Sequence, residues 1–144
     1  ILDSAHNPEA VMALADTLST EFDVVGSRMA VVGLLVGRDP RLIAEALVQA
    51  RLDSVILTSP PSPRAADLAE VVAAFTAAGL SVESVVDPET ALGRAMRHTE
   101  EEDLLVVAGS MTLLQLERDV IEAILAVDGR GSGQGPEPEF LEPD

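Results

Sequence analysis

Residues 29–47 read MAVVGLLVGRDPRLIAEAL and contain the pattern that decides the fold. The continuous apolar run from Met29 to Val36 fits a strand that is buried on both faces, as in a parallel sheet. Asp39 and Pro40 are the residue types that begin helices, an Asx N-cap followed by proline at the first helical position. The apolar residues that follow have the spacing of one helix face: Ile43, Ala46, Leu47 and Ala50. This stretch predicts a buried strand followed by an amphipathic helix.

The same unit recurs along the whole chain. Asn7-Pro8 and Asp87-Pro88 repeat the helix-start signal, and apolar runs alternate with helical stripes through five rounds. The predicted strands are the segment ending at Leu2–Asp3, Met29–Val36, Val55–Leu57, Leu80–Val86 and Leu104–Ala108. Ser81, Glu83 and Ser84 interrupt the fourth of these, so we expect it near a sheet edge. Alternating strands and helices predict a Rossmann-like α/β three-layer sandwich with a mostly parallel sheet of about five to six strands.

Length and composition indicate one domain. The chain has 144 residues, of which 47% are hydrophobic and only 2% aromatic, so the core must consist of Ala, Val, Leu and Ile. Residues 1–127 are predicted to form this domain. From Asp128 the sequence is rich in Gly, Pro and acidic residues and lacks apolar periodicity, so residues 128–144 are predicted to be a disordered acidic tail.

The charge balance excludes several classes of partner. Nine basic residues, all arginine, stand against 25 acidic ones and give a net charge of −16. This balance argues against nucleic-acid binding and against adsorption to anionic membranes. Without Lys or Cys, the chain has no phosphate-loop lysine, Schiff base, zinc thiolate or cysteine nucleophile. Because it begins with Ile1 inside an apparent strand and has no signal peptide, we expect a piece of a longer, soluble, cytoplasmic protein.

Polar residues concentrate where the predicted strands end. In open α/β sheets, ligands bind beyond the carboxyl ends of the strands. These ends are residues 3–7, 37–39, 59–64 and 109–110. In the first of them, Asn7 caps a helix whose N-terminus could hold a phosphate or carboxylate, and His6 could transfer a proton. The spacing alone is equally compatible with Asp3 and His6 only satisfying backbone groups of the turn.

The segment DSAHNP, residues 3–8, resembles the D-G-A-H-N-P signature of folylpolyglutamate synthases and dihydrofolate synthases, where it opens the C-terminal domain of Mur-ligase-type enzymes. Three more segments resemble that family in the same order. These are VVGLLVGRDP (31–40), with its strand and D-K-D-like turn, SPPSPRA (59–65), with its Pro and Arg, and DLLVVAGSMTLL (103–114), with its Gly-Ser turn. The resemblance spans roughly residues 1–127 and implies the fold of a Mur ligase C-terminal domain.

The resemblance also implies an activity, ATP-dependent ligation of glutamate. In that family ATP and magnesium phosphorylate a carboxylate of dihydropteroate or a folate, and the amino group of glutamate attacks the acyl phosphate. By the same resemblance Asp3 contacts ATP, His6 is catalytic and also faces glutamate, and Ser110 holds glutamate. Further possible turn contacts are Asn7, Arg38 and Asp39. ATP and magnesium would be bound mainly by an N-terminal ATPase domain outside this sequence, with no metal ligand here, so we expect these residues to be inactive alone.

Three positions depart from the family pattern. Ser4 stands where Gly is usual, and Gly37-Arg38-Asp39 replaces the D-K-D-like turn, so that its first acid is lost and its lysine becomes arginine. The segment after Ser110 lacks the aromatic residue and the V-G-E that are common in the family. Two alternatives therefore remain: a Mur-like ligase for another amino acid, and a non-catalytic Rossmann-like ligand-binding module.

Overall fold

A computed structural model describes residues 2–3 and 6–131, in which five strands alternate with five helices. The strands are β1 (Leu2–Asp3), β2 (Arg28–Gly33), β3 (Ser54–Thr58), β4 (Val82–Ser84) and β5 (Leu104–Gly109). The helices are α1 (Pro8–Thr20), α2 (Pro40–Val48), α3 (Leu68–Ala77), α4 (Pro88–Arg97) and α5 (Met111–Gly131).

The five strands form one parallel sheet in the order β1-β5-β2-β3-β4. β5, the last strand in sequence, lies between β1 and β2, so the first and last strands of the chain pair with each other. β4 pairs only with β3 and forms an edge. The predicted α/β class, the parallel sheet and the edge position of the fourth strand are confirmed.

Helices cover both faces of the sheet. Alternate residues of each strand point to opposite sides, so Ala30 and Val32 join one buried cluster and Val31 joins the other. The first cluster packs against α1, α2 and α3, and the second packs against α4 and α5. Phe75 is the one aromatic residue in the buried core of the described chain. The three-layer architecture and the aliphatic core agree with the sequence prediction.

The helix starts follow the predicted chemistry. Asn7, Asp39 and Asp87 are the N-caps of α1, α2 and α4, and proline occupies the first helical position in each. Asp67 caps α3 in the same way by accepting from the amide of Ala69 at 2.9 Å. The prediction had not included Asp67, because no proline follows it. Four of the five helices thus begin at an Asx side chain that satisfies an otherwise unpaired amide.

β2 is shorter than predicted. It ends at Gly33, and the next three residues leave the sheet. Leu35 forms an antiparallel bridge with Ala65, and the amide of Val36 donates to the carbonyl of Arg64 at 2.7 Å. The prediction of a strand to Val36 was therefore wrong, because hydrophobicity does not distinguish a residue paired in the sheet from one paired with a neighbouring loop.

α5 runs through Gly131, so its backbone includes the first four residues assigned to the tail. The Gly-rich composition from Asp128 predicted that no helix would continue there. Each residue added to an existing helix gains a hydrogen bond, however, and a helix can therefore include poor helix formers such as Gly129 and Gly131 near its end. The rest of the predicted tail, residues 132–144, lies outside the described residues. Within residues 2–3 and 6–131, no helix is both long enough and apolar enough to cross a membrane.

Candidate functional site

The candidate site lies at the carboxyl ends of three neighbouring strands, β1, β5 and β2. The chain passes from β1 and β2 into helices on one face of the sheet, whereas it passes from β5 into α5 on the other face. The connections therefore diverge on either side of β5 and leave a crevice between them. A reversal of this kind is where parallel α/β sheets bind their ligands.

A cavity of about 200 Å³ occupies this crevice. Loops that are distant in sequence contribute to its lining because β5 brings them together. The lining residues are His6, Leu34, Leu35, Arg38, Gly109, Ser110, Met111 and Thr112. Its walls are largely aliphatic, with one imidazole, one guanidinium and two hydroxyl groups, a combination suited to a small ligand with an apolar stem and a polar or anionic end.

The structure brings together three of the six residues that the resemblance assigned to a site. His6, Arg38 and Ser110 all line the cavity. Asn7 and Asp39 do not. The side chain of Asn7 accepts from the amide of Ala10 at 2.9 Å, and both residues act as helix caps.

The backbone of Asp3 pairs with Ala108 in the sheet, which places it beside the same crevice. Its side chain lies outside the described part of the structure, so its assignment to ATP stays a prediction.

Two glycines allow β2 and β5 to approach closely where Gly109 lines the cavity. Gly33 and Gly109 are register partners, and Gly109 has a φ of +121°, a value that L side chains rarely adopt. A Cβ atom on Gly109 would lie 2.0 Å from the carbonyl oxygen of Gly33. That same oxygen accepts a hydrogen bond from the amide of Ser110 at 3.0 Å. The glycine pair therefore fixes where the chain turns from β5 into α5.

Ser110 is buried and caps α5 from the cavity side. Its Oγ accepts from the amide of Leu113 at 3.1 Å, its carbonyl accepts from Leu114 at 3.2 Å, and Oγ lies 3.0 Å from Oγ1 of Thr112. Met111 and Thr112 are the first two residues of α5, and no described residue accepts a hydrogen bond from their backbone amides. Unpaired amides at a helix N-terminus favour an anionic group.

Arg38 supplies the positive charge at the cavity. Its side chain is exposed and takes part in no ion pair with a described residue. The turn that carries it is anchored by the bridge between Leu35 and Ala65, which joins the loop after β2 to the loop after β3. In a chain of net charge −16, an arginine that forms no ion pair with the described residues and lies beside a cavity favours an anionic ligand there.

The neighbouring carboxylate has a structural partner of its own. Asp39 accepts from the backbone and side chain of Arg41, with a closest ion-pair distance of 3.3 Å. The side-chain hydrogen bond from Arg41, followed by the backbone hydrogen bond, lowers the pKa of Asp39. Asp39 therefore stays ionised as the cap of α2, and Arg41 rather than Arg38 is its counterion.

Sequence reasoning missed Leu34, Leu35, Met111 and Thr112 as lining residues. It had placed Leu34 and Leu35 inside a strand that ends earlier than predicted. Gly33, within the apolar run, was the available signal, because glycine in a strand often marks a close approach of backbone. The sequence around Met111 and Thr112 contains no comparable signal, because which side of a helix start faces a cavity depends on how the helix packs in the fold.

The described residues do not form a metal site. No group of three or more His, Asp or Glu side chains among residues 6–131 lies close enough to hold an ion. The cavity itself contributes one histidine and no carboxylate. A divalent cation at this cavity would therefore need ligands from outside the described residues.

Comparisons with a family model, with a curated protein and with solved structures all match the same group of proteins. The family model for the Mur ligase glutamate ligase domain matches residues 1–111. A probable bifunctional folylpolyglutamate synthase/dihydropteroate synthase from Halobacterium salinarum is 36% identical over 112 residues, which are 77% of this chain and 13% of that protein.

Two solved structures have the same fold over most of the chain. Mycobacterium tuberculosis folylpolyglutamate synthase complexed with ADP is 26% identical with a TM-score of 0.75, over 94% of this chain and 30% of its own. A Yersinia pestis bifunctional folylpolyglutamate synthase/dihydrofolate synthase complexed with AMPPNP and Mn is 28% identical with a TM-score of 0.70, over 83% of this chain and 28% of its own. The chain thus spans less than a third of the length of these proteins.

Proposed function

Because this chain belongs to the Mur ligase family, as its glutamate ligase domain, we propose that it is the amino-acid-accepting part of an ATP-dependent ligase that joins glutamate to a carboxylate of pteroate or a folate. The observation that carries the proposal is the convergence of His6, Arg38 and Ser110 on one cavity at the switch point of the sheet. These residues come from the loops after three different strands.

The chemistry of the cavity suits glutamate as the incoming substrate. Leu34 and Leu35 offer aliphatic surface to the methylene groups of an amino acid, and Arg38 offers a guanidinium to a carboxylate. The hydroxyl of Ser110 and the first amides of α5 supply further donors at the same cavity.

The proposed reaction forms an amide bond at an acyl phosphate. The amine nitrogen attacks the acyl carbon, the C–O bond to phosphate breaks, and inorganic phosphate leaves. The attacking ammonium must lose its protons, and His6 is the cavity group that could accept one. ATP and a divalent cation would bind mainly to a separate ATPase domain, which we propose as the partner of this surface, and the whole enzyme would act in the cytoplasm.

The test uses the intact ligase that carries this domain, with His6→Ala and His98→Ala compared. These are the two histidines of the chain, and His98 is exposed at the C-terminal end of α4. We expect phosphate release that requires both the folate substrate and glutamate to fall about 100-fold or more in His6→Ala and to stay unchanged in His98→Ala. Unchanged turnover in His6→Ala would remove His6 from the mechanism.

The amino acid and the catalytic competence are tested in the same assay. Wild-type enzyme is supplied with glutamate, aspartate or alanine in turn, and phosphate release is measured. A clear preference for another amino acid would show that glutamate is not the substrate and that the domain belongs to a Mur-like ligase for that other amino acid. If no amino acid stimulates release, the domain is a ligand-binding module and the proposed ligase activity is wrong.

A further inference from the structure

We infer that Thr112 is a positioning residue that directs the hydroxyl hydrogen of Ser110 towards a carboxylate of the incoming amino acid. The inference rests on the proposed function and names a residue that the motif resemblance does not assign. Thr112 lines the cavity, and its Oγ1 lies 3.0 Å from Oγ of Ser110.

The hydrogen-bonding capacity of Ser110 is small and can be counted. A hydroxyl has one hydrogen to donate and two lone pairs that accept. The amide of Leu113 occupies one lone pair at 3.1 Å. The bond with Thr112 then uses either the second lone pair of Ser110 or its only hydrogen, because either hydroxyl can donate.

The direction of that bond decides what Ser110 can recognise. If Ser110 donates to Thr112, its hydrogen is consumed, and the one free lone pair can only accept from an amine. If Thr112 donates to Ser110, both lone pairs are filled, and the hydrogen remains for an anionic acceptor. Thr112 thus selects between two opposite specificities of the same serine.

The surroundings favour the second arrangement. The amides of Met111 and Thr112 and the guanidinium of Arg38 all present positive charge at this cavity. A helix N-terminus and an arginine stabilise a carboxylate and repel an ammonium group. With a carboxylate in place, Ser110 donates to it, and Thr112 completes the bonding of the serine oxygen.

Thr112 is suited to a test because its hydroxyl has little role in the fold. Its side chain is exposed. Among the described residues, Ser110 is the only hydrogen-bond partner of that side chain. Thr112→Val keeps the branched shape and removes the hydroxyl, whereas Thr112→Ser keeps the hydroxyl. Thr76→Val, at an exposed position of α3, is the matched control.

The experiment measures steady-state kinetics with glutamate in the intact ligase. Thr112→Val removes the bond that directs the hydroxyl hydrogen of Ser110, so the hydrogen bond from Ser110 to glutamate should weaken by about 1 kcal/mol and KM for glutamate should rise about fivefold. An unchanged kcat would show that binding, and not the chemical step, has weakened. Thr112→Ser and Thr76→Val should match wild type, and all variants should have the same Tm. An unchanged KM in Thr112→Val, or an equal rise in Thr112→Ser, overturns the inference.

A second measurement separates this inference from the proposed function. The 144-residue chain is titrated with L-glutamate, and the amide signals of Gly109, Ser110 and Leu113 are followed by NMR. If the ligase shows no glutamate-dependent turnover, the proposed function fails, and this titration alone decides about Thr112. Weaker saturation in Thr112→Val than in wild type supports its positioning role. Equal saturation, or no shift in wild type, overturns it.

Discussion

The backbone of Gly109 lies directly against the carbonyl oxygen of Gly33, where a single added methyl group would approach to 2.0 Å. The two glycines are the last register pair of β2 and β5, and Gly109 lines the cavity. The pair also sets the start of α5, because the carbonyl of Gly33 accepts from the amide of Ser110. The position of the candidate site thus depends on two residues that contribute no side chain.

Gly109→Ala should therefore be strongly destabilising. The added Cβ would meet backbone that cannot move without breaking strand pairing, and alanine would also have to adopt a φ of +121°. We expect a loss of about 2–4 kcal/mol of unfolding free energy, measured by urea denaturation.

Gly37→Ala is the control for that experiment. Gly37 also has a positive φ, of +91°, but nothing lies within 4 Å of an added Cβ. It should lose only about 1–2 kcal/mol from the backbone conformation. Equal losses at both positions would show that the contact with Gly33 is unimportant.

Arg28 should contribute to stability because its guanidinium donates hydrogen bonds to backbone carbonyls at the C-terminal ends of two helices. It donates to carbonyls at or just beyond the C-termini of α1 and α2: Leu18 at 2.8 Å, Phe22 at 2.7 Å and Ala50 at 3.2 Å. Arg28→Met keeps the aliphatic stem and removes these donors. We expect a loss of about 2–3 kcal/mol in urea denaturation, the range for hydrogen bonds to charged groups.

Arg41→Met is the matched variant for Arg28→Met. Arg41 pairs with Asp39 on the surface, where its side chain is 77% exposed. Exposed ion pairs contribute little, so the urea midpoint should hardly change. A larger effect at Arg41 than at Arg28 would contradict the role assigned to the carbonyl contacts of Arg28.

Stability should fall in acid partly through Asp103. Its carboxylate accepts from the amides of Glu100 at 2.8 Å and Ser27 at 2.7 Å, and these two bonds, in that order, lower its pKa below 3.8. Because the pKa is lower in the folded state, the contribution is complete above the unfolded value. It is lost as the pH falls from about 3.8 through the folded value.

Asp103→Asn tests this dependence, with Glu101→Gln on the same exposed turn as the control. The urea midpoint of Asp103→Asn should lie below that of wild type at pH 7, and the two midpoints should converge as the pH falls below 3.8. Glu101→Gln should not fall below wild type at pH 7, because no described residue donates a hydrogen bond to the Glu101 side chain. A difference that stays constant between pH 7 and pH 2.5 would exclude ionisation of Asp103 as the cause.

Salt should stabilise the chain, because a net charge of −16 repels itself. Raising NaCl from 0.1 M to 1 M shortens the Debye length from about 10 Å to about 3 Å. We expect Tm to rise by roughly 4 °C or more, which corresponds to about 1 kcal/mol.

The variant Glu100→Gln/Glu101→Gln/Glu102→Gln separates screening from other effects of salt. All three side chains are exposed. Removing their charges should raise Tm at 0.1 M NaCl and reduce the gain at 1 M. An identical gain in the variant and in wild type would indicate that NaCl acts by a route other than charge screening.

Local signals in the sequence predicted most of the elements. The caps at Asn7, Asp39 and Asp87 depend on side chains that bond amides two or three residues away, so the chemistry is readable without the fold. The edge position of β4 was predictable from polar residues in its run. The end of β2 was not predictable, because Leu35 leaves the sheet to pair with Ala65 in a different loop.

The candidate site was only partly predictable for the same reason. His6, Arg38 and Ser110 were found from their motifs, and the structure places them at one cavity. Asp39 was included with them, yet it caps α2 and pairs with Arg41. Thr112 was missed because its relation to Ser110 exists only once α5 has formed.

The sequence by itself determined the α/β class, the aliphatic core and the helix starts, since each follows from periodicity or from bonds between near neighbours. The tertiary structure alone decided the strand order and with it the site. Only the insertion of β5 between β1 and β2 brings His6 to Ser110 and Arg38. Strand pairing joins residues far apart in the chain, and its energy depends on how whole faces pack, which no short segment records.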